Sequence, residues 1–278
     1  DRNKRGTLQY KTTKPRKMKV LINWLFLVLV LTINALANIL PINGLNTGEI
    51  SGLYPNFFVP AGFTFSIWGV IYLLLIIYNI SFTYYILHPQ KDKQISAYIN
   101  SINPLFLLTC LFNASWILAW HYLQPLLSII IMILFLVTLA VLFVRTISFY
   151  PSFSLYNRFI LHSPFVVYLG WISVATIANI TAGLVKWEWT GFGISGIAWS
   201  SIMMIVAILL GTFITFRYKV FSFALVIVWA LWGIHEAQYA KSVYLSWIPI
   251  AGISLLSILL IYLLLSKKIS KTNRTRKR

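Results

Sequence analysis

The chain has 278 residues, of which 59% are hydrophobic and 10% are charged, and its formal net charge is +18. A mean hydropathy of +0.80 excludes an ordinary soluble domain, in which about 25% of the residues are charged. The basic residues are concentrated at the two ends of the chain and not on one folded face, so we predict no nucleic-acid partner.

Long apolar runs follow one another along the whole chain and predict transmembrane helices. Crossing about 30 Å of hydrocarbon takes roughly 20 residues of helix. The runs show no strand-like alternation, and a segment in lipid must satisfy its own backbone hydrogen bonds. The sequence therefore predicts an all-α integral membrane protein with eight spans. They cover residues 20–40, 62–87, 104–121, 126–146, 160–183, 195–216, 219–236 and 243–265.

The distribution of Lys and Arg predicts the orientation of these spans. Basic residues are retained in cytoplasmic loops and depleted from exported ones. With both termini in the cytoplasm, all of the 23 Lys and Arg except Lys186 and Lys241 lie on the cytoplasmic side. We expect a multi-pass protein of the cell membrane whose basic tails, residues 1–19 and 266–278, attract anionic membrane lipids. High usage of Ile, Asn, Lys and Tyr is typical of a low-GC genome and favours a Gram-positive bacterium, so we expect the membrane to be a bacterial cytoplasmic membrane.

The start of the chain has two interpretations. Met18, followed by Lys19 and the first span, fits a translation start. Alternatively, the basic stretch, the apolar run and Ala35-Leu36-Ala37 resemble a cleavable signal peptide. The apolar run continues through Leu40, which favours an uncleaved first helix.

The longest outer connection runs from Pro41 to Gly62 and is rich in turn-forming residues. Gly44 and Pro60 are among them, and Glu49 is one of only five acidic residues in the chain. Such residues favour a structured loop over a helix. A long loop in a tightly connected bundle is often functional, so we expect either a lid over a pocket or a merely solvated loop.

Polar and aromatic side chains lie inside several spans. An unpaired amide in hydrocarbon costs several kcal/mol, so each Asn is expected to face another helix or a cavity, with hydrogen bonding between helices the simpler expectation. Deep Trp rings near such amides are typical of a site for a flat apolar ligand. The residues concerned are Asn34, Asn38, Asn113 and Asn179, and Trp68, Trp116, Trp120 and Trp171.

Three of these segments resemble motifs of the TspO/translocator protein family, also called tryptophan-rich sensory proteins or peripheral benzodiazepine receptors. Trp171, Ala175 and Asn179 keep the steps of the fifth-helix motif, although Val167 replaces its Pro. Asn113, Trp116 and Trp120 resemble the third-helix motif. Pro60, Trp68 and Tyr72 reproduce the second-helix spacing, although Ala61 and Thr64 depart from it.

The resemblance covers residues 20–183 and implies a five-helix bundle, with residues 184–265 as three additional transmembrane helices. It implies a pocket for a porphyrin, another tetrapyrrole such as haem, or a sterol, in a sensory or sequestering role. A homodimer is also typical of the family, but the added helices put it in doubt. The resemblance implies a lid loop that includes Pro41, Gly44, Glu49 and Pro60. The ligand-binding residues that it implies are Trp68, Tyr72, Asn113, Trp116, Trp120, Tyr168, Trp171, Ala175 and Asn179.

The chemistry of an enzyme is missing from the sequence, and we predict neither catalytic residues nor a resident cofactor or metal. The chain carries no phosphate-binding loop, no His-Glu-x-x-His helix and no nucleophile elbow, and Cys110 is its only cysteine. His121 and His162 are the remaining candidates for ligating haem iron, and we expect ordinary interfacial roles for both. Two alternatives to a ligand-binding protein stay open. One is a secondary transporter that uses Glu236 beside His235, and the other is a membrane scaffold or assembly factor.

Overall fold

The computed structural model describes the backbone of residues 2–275 and the side chains of residues 15–243 and 245–266. This part of the chain consists of helices and connecting segments, without a strand. The side chains of most of the basic tails predicted at residues 1–19 and 266–278 lie outside the described residues. The α-helices are α1 (Arg2–Asn38), α2 (Thr47–Gly52), α3 (Ile67–Leu87), α4 (Lys93–His121), α5 (Pro125–Phe149), α6 (Leu155–Asn157), α7 (Ser163–Lys186), α8 (Gly196–Tyr218), α9 (Phe221–Gln238) and α10 (Val243–Thr275).

Eight segments of the described chain are long and apolar enough to cross a membrane, which confirms the predicted all-α multi-pass fold. Several of their large apolar side chains are exposed at the protein surface, such as Leu126, which is 61% exposed, and Ile258, which is 65% exposed. Lipid is the environment that makes such exposure favourable. The segments are Pro15–Asn38, Gly62–Leu87, Lys93–His121, Pro125–Ser152, Leu155–Lys186, Gly196–Tyr218, Phe221–Gln238 and Leu245–Ser266.

Local signals explain where several helices begin and end. The Asp92 carboxylate accepts a hydrogen bond from the backbone N–H of Ile95 at 2.9 Å and caps α4. The Ser195 hydroxyl accepts from the N–H of Ala198 at 3.2 Å and caps α8. Pro125 occupies the first turn of α5, where its missing N–H costs nothing. Lys219 ends α8 in the left-handed conformation, with φ of 58°.

The described residues form two compact units. Unit 1 comprises the chain up to Thr47 together with Trp68–Phe165, and unit 2 comprises Gly48–Ile67 together with the chain from Val166 onward. The predicted division into a bundle of residues 20–183 and an addition of residues 184–265 has other boundaries, and it stays a prediction.

Unit 1 has α4 at its centre, packed against α1 and α5. Its interior is aromatic: the Tyr78 ring lies 4.7 Å from the ring of Phe165 and 5.1 Å from that of Phe106. Tyr78, Phe106 and Phe165 are fully buried. Inside a membrane the hydrophobic effect does not drive helices together, because lipid tails are as apolar as the side chains. Dispersion and edge-to-face contacts of this kind hold the helices together instead.

Unit 2 is built around α9, which packs against α8, α10 and the helical turn Gly62–Ser66. Glycines let the helices of unit 2 lie close to one another. A Cβ on Gly211 would lie 3.1 Å from Ile227, and one on Gly252 would overlap Ile208. Small residues at helix contacts allow this packing in membranes.

The long connection of residues 41–62 contains the short helix α2, so the expectation of a loop without a helix was wrong at Thr47–Gly52. The acidic Glu49 in its first turn favours a helix there.

Candidate functional site

A column of stacked aromatic rings occupies unit 1. The Trp68 ring stacks on that of Tyr72 with a centroid separation of 5.6 Å and on that of Trp116 at 5.8 Å. The Trp116 ring stacks in turn on that of Trp120 at 6.1 Å. The spacing of four residues places Trp68 and Tyr72 on one face of α3, and Trp116 and Trp120 on one face of α4. The three indoles are each at most 6% exposed, so within unit 1 these rings contact one another.

Buried amides connect the helices of unit 1. The Asn34 side chain in α1 donates a hydrogen bond to the Asn113 side-chain oxygen in α4 at 2.7 Å. Asn23 in α1 donates to Asn79 in α3 at 3.3 Å. These bonds confirm the expected interhelical pairing for Asn34 and Asn113. The Asn38 amide donates to the carbonyl of Asn34 within its own helix at 2.9 Å, and its side-chain oxygen accepts from the N–H of Thr47, the first residue of α2, at 3.4 Å.

Five of the nine predicted ligand-binding residues lie in unit 1, and the other four lie in unit 2 on α7. Tyr168, Trp171 and Asn179 are buried there, and Ala175 is half-buried. The Trp171 ring packs edge to face against Phe65 with a centroid separation of 6.0 Å. The structure thus brings Trp68, Tyr72, Asn113, Trp116 and Trp120 together, and it places Tyr168, Trp171, Ala175 and Asn179 along one helix of unit 2.

The first part of the predicted lid is fastened to the end of α4 in unit 1. His121 Nδ1 donates to the Ile42 carbonyl at 3.0 Å, and the Thr47 hydroxyl then donates to His121 Nε2 at 3.1 Å. The Asn43 side chain donates to the carbonyl of His121 at 3.0 Å. The Trp120 indole donates to the carbonyl of Thr47 at 3.3 Å. His121 therefore positions this segment, with both ring nitrogens occupied by the protein.

The second part of the predicted lid is fastened to α9 in unit 2. The Gln238 side-chain amide donates to the carbonyls of Val59 at 2.9 Å and Asn56 at 3.5 Å. The Ala61 N–H donates to the carbonyl of Gly233 at 2.8 Å. Burial raises the pKa of the Tyr54 phenol beside this segment.

The helical turn Gly62–Ser66 continues this attachment along α9. The Trp229 indole donates to the carbonyl of Thr64 at 2.9 Å. The Phe63 ring lies 5.5 Å from that of Trp229 and 5.2 Å from that of Trp232. Gly233 lies so close to Thr64 that an added Cβ would overlap its side chain. The absence of a side chain at Gly233 therefore lets the turn lie directly on the helix.

A cavity of about 470 Å³ lies in unit 2, between the segment Pro55–Phe58, the second half of α7 and the beginning of α8. Its walls are mostly apolar, and they include the rings of Trp189 and Trp199, whose centroids are 5.4 Å apart. Ligand pockets are typically about 300–1,000 Å³ and apolar with a few polar groups. None of the nine predicted ligand-binding residues lines this cavity, whereas Pro55–Phe58 belongs to the predicted lid.

The sequence reasoning missed both cavity tryptophans. Neither Trp189 nor Trp199 is among the predicted ligand-binding residues. The local signal is Gly191, which adopts a positive φ of 68° and leaves no room for a Cβ beside the Trp199 indole. The Trp199 indole donates to the Gly191 carbonyl at 2.9 Å, so this turn holds the ring at the edge of the cavity.

Comparison with known proteins places the chain in a family. The sequence model of the TSPO-like protein family matches residues 20–267. The chain belongs to this family. The match runs through the last three spans of the TSPO-like protein and does not end at residue 183. No curated protein matches the chain, and no solved structure does.

The two remaining candidate sites of the sequence analysis, around Glu236 and His162, lie near the ends of spans. The Glu236 carboxylate, which carried the transporter hypothesis, is exposed and accepts a hydrogen bond from the Trp232 indole at 3.1 Å. The His162 ring lies 4.6 Å from that of Tyr150, over which the Arg158 guanidinium is placed at 4.3 Å. Among the described residues, no three His, Cys, Asp or Glu side chains lie close enough together to hold a metal ion.

Proposed function

We propose that this TSPO-like protein binds a flat hydrophobic small molecule in the cavity of unit 2, in a sensory or sequestering role. The observation that supports the proposal is the cavity itself, about 470 Å³ in volume and walled by apolar side chains and two tryptophans. A planar guest in this space would gain dispersion contacts with the apolar walls.

The lining of the cavity favours a ring system over an alkyl chain. Indole faces stack on planar molecules and contribute about 0.5–1.5 kcal/mol beyond the area that they bury. Trp189 is 37% exposed, so one ring is accessible from the cavity. Asn56, Thr190 and Ser200 supply the few polar groups that orient a guest. A tetrapyrrole or a sterol fits this description.

A fluorescence titration tests the proposal. The purified full chain is titrated with protoporphyrin, and quenching of Trp emission gives Kd. Replacing Trp189 with Leu removes the accessible indole and keeps the wall apolar. We expect Kd to rise about tenfold, which corresponds to about 1.4 kcal/mol. Absence of quenching in the natural chain would contradict the proposal outright.

Three further variants locate the site. Trp247 on α10 is 64% exposed and does not line the cavity. Trp247→Leu is therefore the matched control, and we expect it to leave Kd unchanged. Trp68→Leu and Trp171→Leu test the residues that the family motifs imply. If these two variants raise Kd and Trp189→Leu does not, the ligand binds at the motif residues and not in the cavity.

We also infer that both termini are cytoplasmic. The support is the distribution of Lys and Arg, of which only Lys186 and Lys241 would then lie on the outer side. Single cysteines introduced at these two positions in a Cys110→Ser background are expected to react with a membrane-impermeant maleimide added to intact cells. Labelling only after permeabilisation would reverse the orientation.

A further inference from the structure

The polar side chains that line the cavity of unit 2 are of two kinds. Those of the first kind already make hydrogen bonds within the protein. The Asn56 amide donates to the Tyr54 carbonyl and accepts from the Phe58 N–H, each at 2.8 Å. The Thr181 hydroxyl donates to the Ile177 carbonyl at 2.8 Å. These bonds shape the walls of the cavity.

Ser200, in the second turn of α8, is of the other kind. Its side chain lines the cavity and is only 5% exposed, and its hydroxyl makes no hydrogen bond to another residue of the described chain. The neighbouring Ser201 differs, because its hydroxyl donates to the Ile197 carbonyl within the helix at 2.8 Å. The Ser200 hydroxyl is also not one of the unpartnered polar atoms of the described chain that are sealed from the surface. It is therefore free to bond, and it can be reached from the cavity.

The Ser200 hydroxyl lies on the face of α8 that forms the cavity wall. Gly196, Trp199, Ser200 and Met203 are spaced as i, i+3, i+4 and i+7, which places them on one face of the helix. The hydroxyl thus shares this face with an indole and a thioether. A planar guest that packs against the face meets apolar contacts and one free hydrogen-bonding group.

The charge of the lining limits what the hydroxyl can receive. None of the residues that line the cavity is Asp, Glu, Lys, Arg or His. A carboxylate in an apolar space without a counter-charge is costly, whereas one hydrogen bond can satisfy a carbonyl or a hydroxyl. An uncharged oxygen is therefore the group that fits beside Ser200, and the carboxylates of a tetrapyrrole would have to lie outside the cavity.

We propose that Ser200 determines the specificity of the cavity by donating a hydrogen bond to an uncharged oxygen of the guest. This inference rests on the proposed binding of a flat hydrophobic molecule, and it narrows the class to neutral ring systems with a hydroxyl or a carbonyl group. A ring system without such a group excludes water from the Ser200 hydroxyl and leaves it unpaired, which is unfavourable. The cavity thus prefers a neutral oxygenated ring to a purely apolar or a carboxylated one.

Three pyrene derivatives test the proposal on the purified full chain, because pyrene is flat and accepts excitation energy from tryptophan. 1-Hydroxypyrene carries the required oxygen, 1-methylpyrene has nearly the same shape without it, and 1-pyrenecarboxylate carries a negative charge. Each probe is titrated in the same detergent, and quenching of Trp emission gives Kd. The ratio of Kd between a variant and the natural chain cancels the partitioning of each probe into detergent.

We expect Ser200→Ala to raise Kd for 1-hydroxypyrene about fivefold and to leave Kd for 1-methylpyrene unchanged, which also shows that the variant is folded. The matched control is Ser201→Ala, which removes a hydroxyl that is bonded within its own helix and does not line the cavity. We expect it to leave both values unchanged. We expect 1-pyrenecarboxylate to bind the natural chain about tenfold more weakly than 1-hydroxypyrene.

Equal Kd of the natural chain and Ser200→Ala for 1-hydroxypyrene would overturn the proposal, and so would an equal rise of Kd for 1-methylpyrene. Binding of the carboxylate as tight as that of 1-hydroxypyrene would overturn the restriction to uncharged groups. Failure of the proposed function has a different signature. In that case neither neutral probe would quench Trp emission, or Trp189→Leu would leave Kd for both probes unchanged.

Discussion

Tryptophan has different roles in the two units: its rings are buried in the interior of unit 1, and they line a cavity in unit 2. In unit 1 the rings of Trp68, Trp116 and Trp120 stack on one another and are almost fully buried. In unit 2 the rings of Trp189 and Trp199 line a space of about 470 Å³. The difference lies in accessibility, since indoles that are buried on both sides stabilise helix packing, whereas an indole that is partly exposed at a cavity is available to a guest.

The largest expected effect tests the column in unit 1. Trp116 is its central indole, and Trp116→Ala removes both stacking contacts and leaves a void. We expect a loss of about 3–5 kcal/mol in the free energy of unfolding. Denaturation of the purified protein, followed by circular dichroism, measures it. Trp247→Ala is the control at an exposed ring, and an equal loss in both variants would show that the column carries no special stability.

The second effect tests the attachment that positions one wall of the cavity. Gly233→Ala puts a methyl group into the space of the Thr64 side chain, so we expect a loss of about 1–3 kcal/mol from overpacking. Faster hydrogen exchange is expected across residues 53–66, because the segment must move away from α9. The matched variant is Gly69→Ala, where a Cβ meets nothing within 4 Å and helix propensity favours Ala. Slow exchange in Gly233→Ala would show that the turn adjusts without releasing the segment.

A third and smaller effect concerns the amide pair of unit 1. Asn34→Leu and Asn113→Leu, measured singly and together, form a double-mutant cycle for the bond of 2.7 Å between α1 and α4. We expect a coupling energy of about 0.6–1.7 kcal/mol, the range found for hydrogen bonds between membrane helices. A coupling of zero would mean that each amide finds another partner once its neighbour is removed.

The smallest expected effect on stability belongs to the cavity. Trp189 is 37% exposed and Leu keeps the cavity wall apolar, so Trp189→Leu should change the free energy of unfolding by no more than about 0.5 kcal/mol. The same variant is the one expected to weaken ligand binding most. The same denaturation measurement checks it, and a loss as large as that of Trp116→Ala would remove the distinction between the two regions.

The spans could be predicted closely because a membrane helix is specified by length and hydropathy alone. The predicted run of residues 126–146 corresponds to Pro125–Phe149, and that of residues 195–216 to Gly196–Tyr218. That Asn34 and Asn113 would each bond to another helix followed from the cost of burying an amide in lipid, although their pairing with each other was not predicted. Such arguments need no knowledge of which helices are neighbours.

The cavity could not be predicted because it depends on segments far apart in the sequence. Phe57 and Trp199 meet the same space, and nothing in either local sequence indicates the other. The role of α9 was missed for a similar reason, since Gln238 and Gly233 contact backbone atoms of the predicted lid rather than a recognisable motif. Backbone acceptors leave no signature in the residue types that provide them.

The segment Asn56–Thr64 is hydrogen-bonded to α9, and this attachment has a consequence for protein engineering. A chain cut after Gly183 would strip three backbone carbonyls and one backbone amide of that segment of their donors and acceptors at once. The seventh span, Phe221–Gln238, therefore satisfies backbone groups of the first long connection. A chimera between family members is expected to fold only if these two parts come from the same parent.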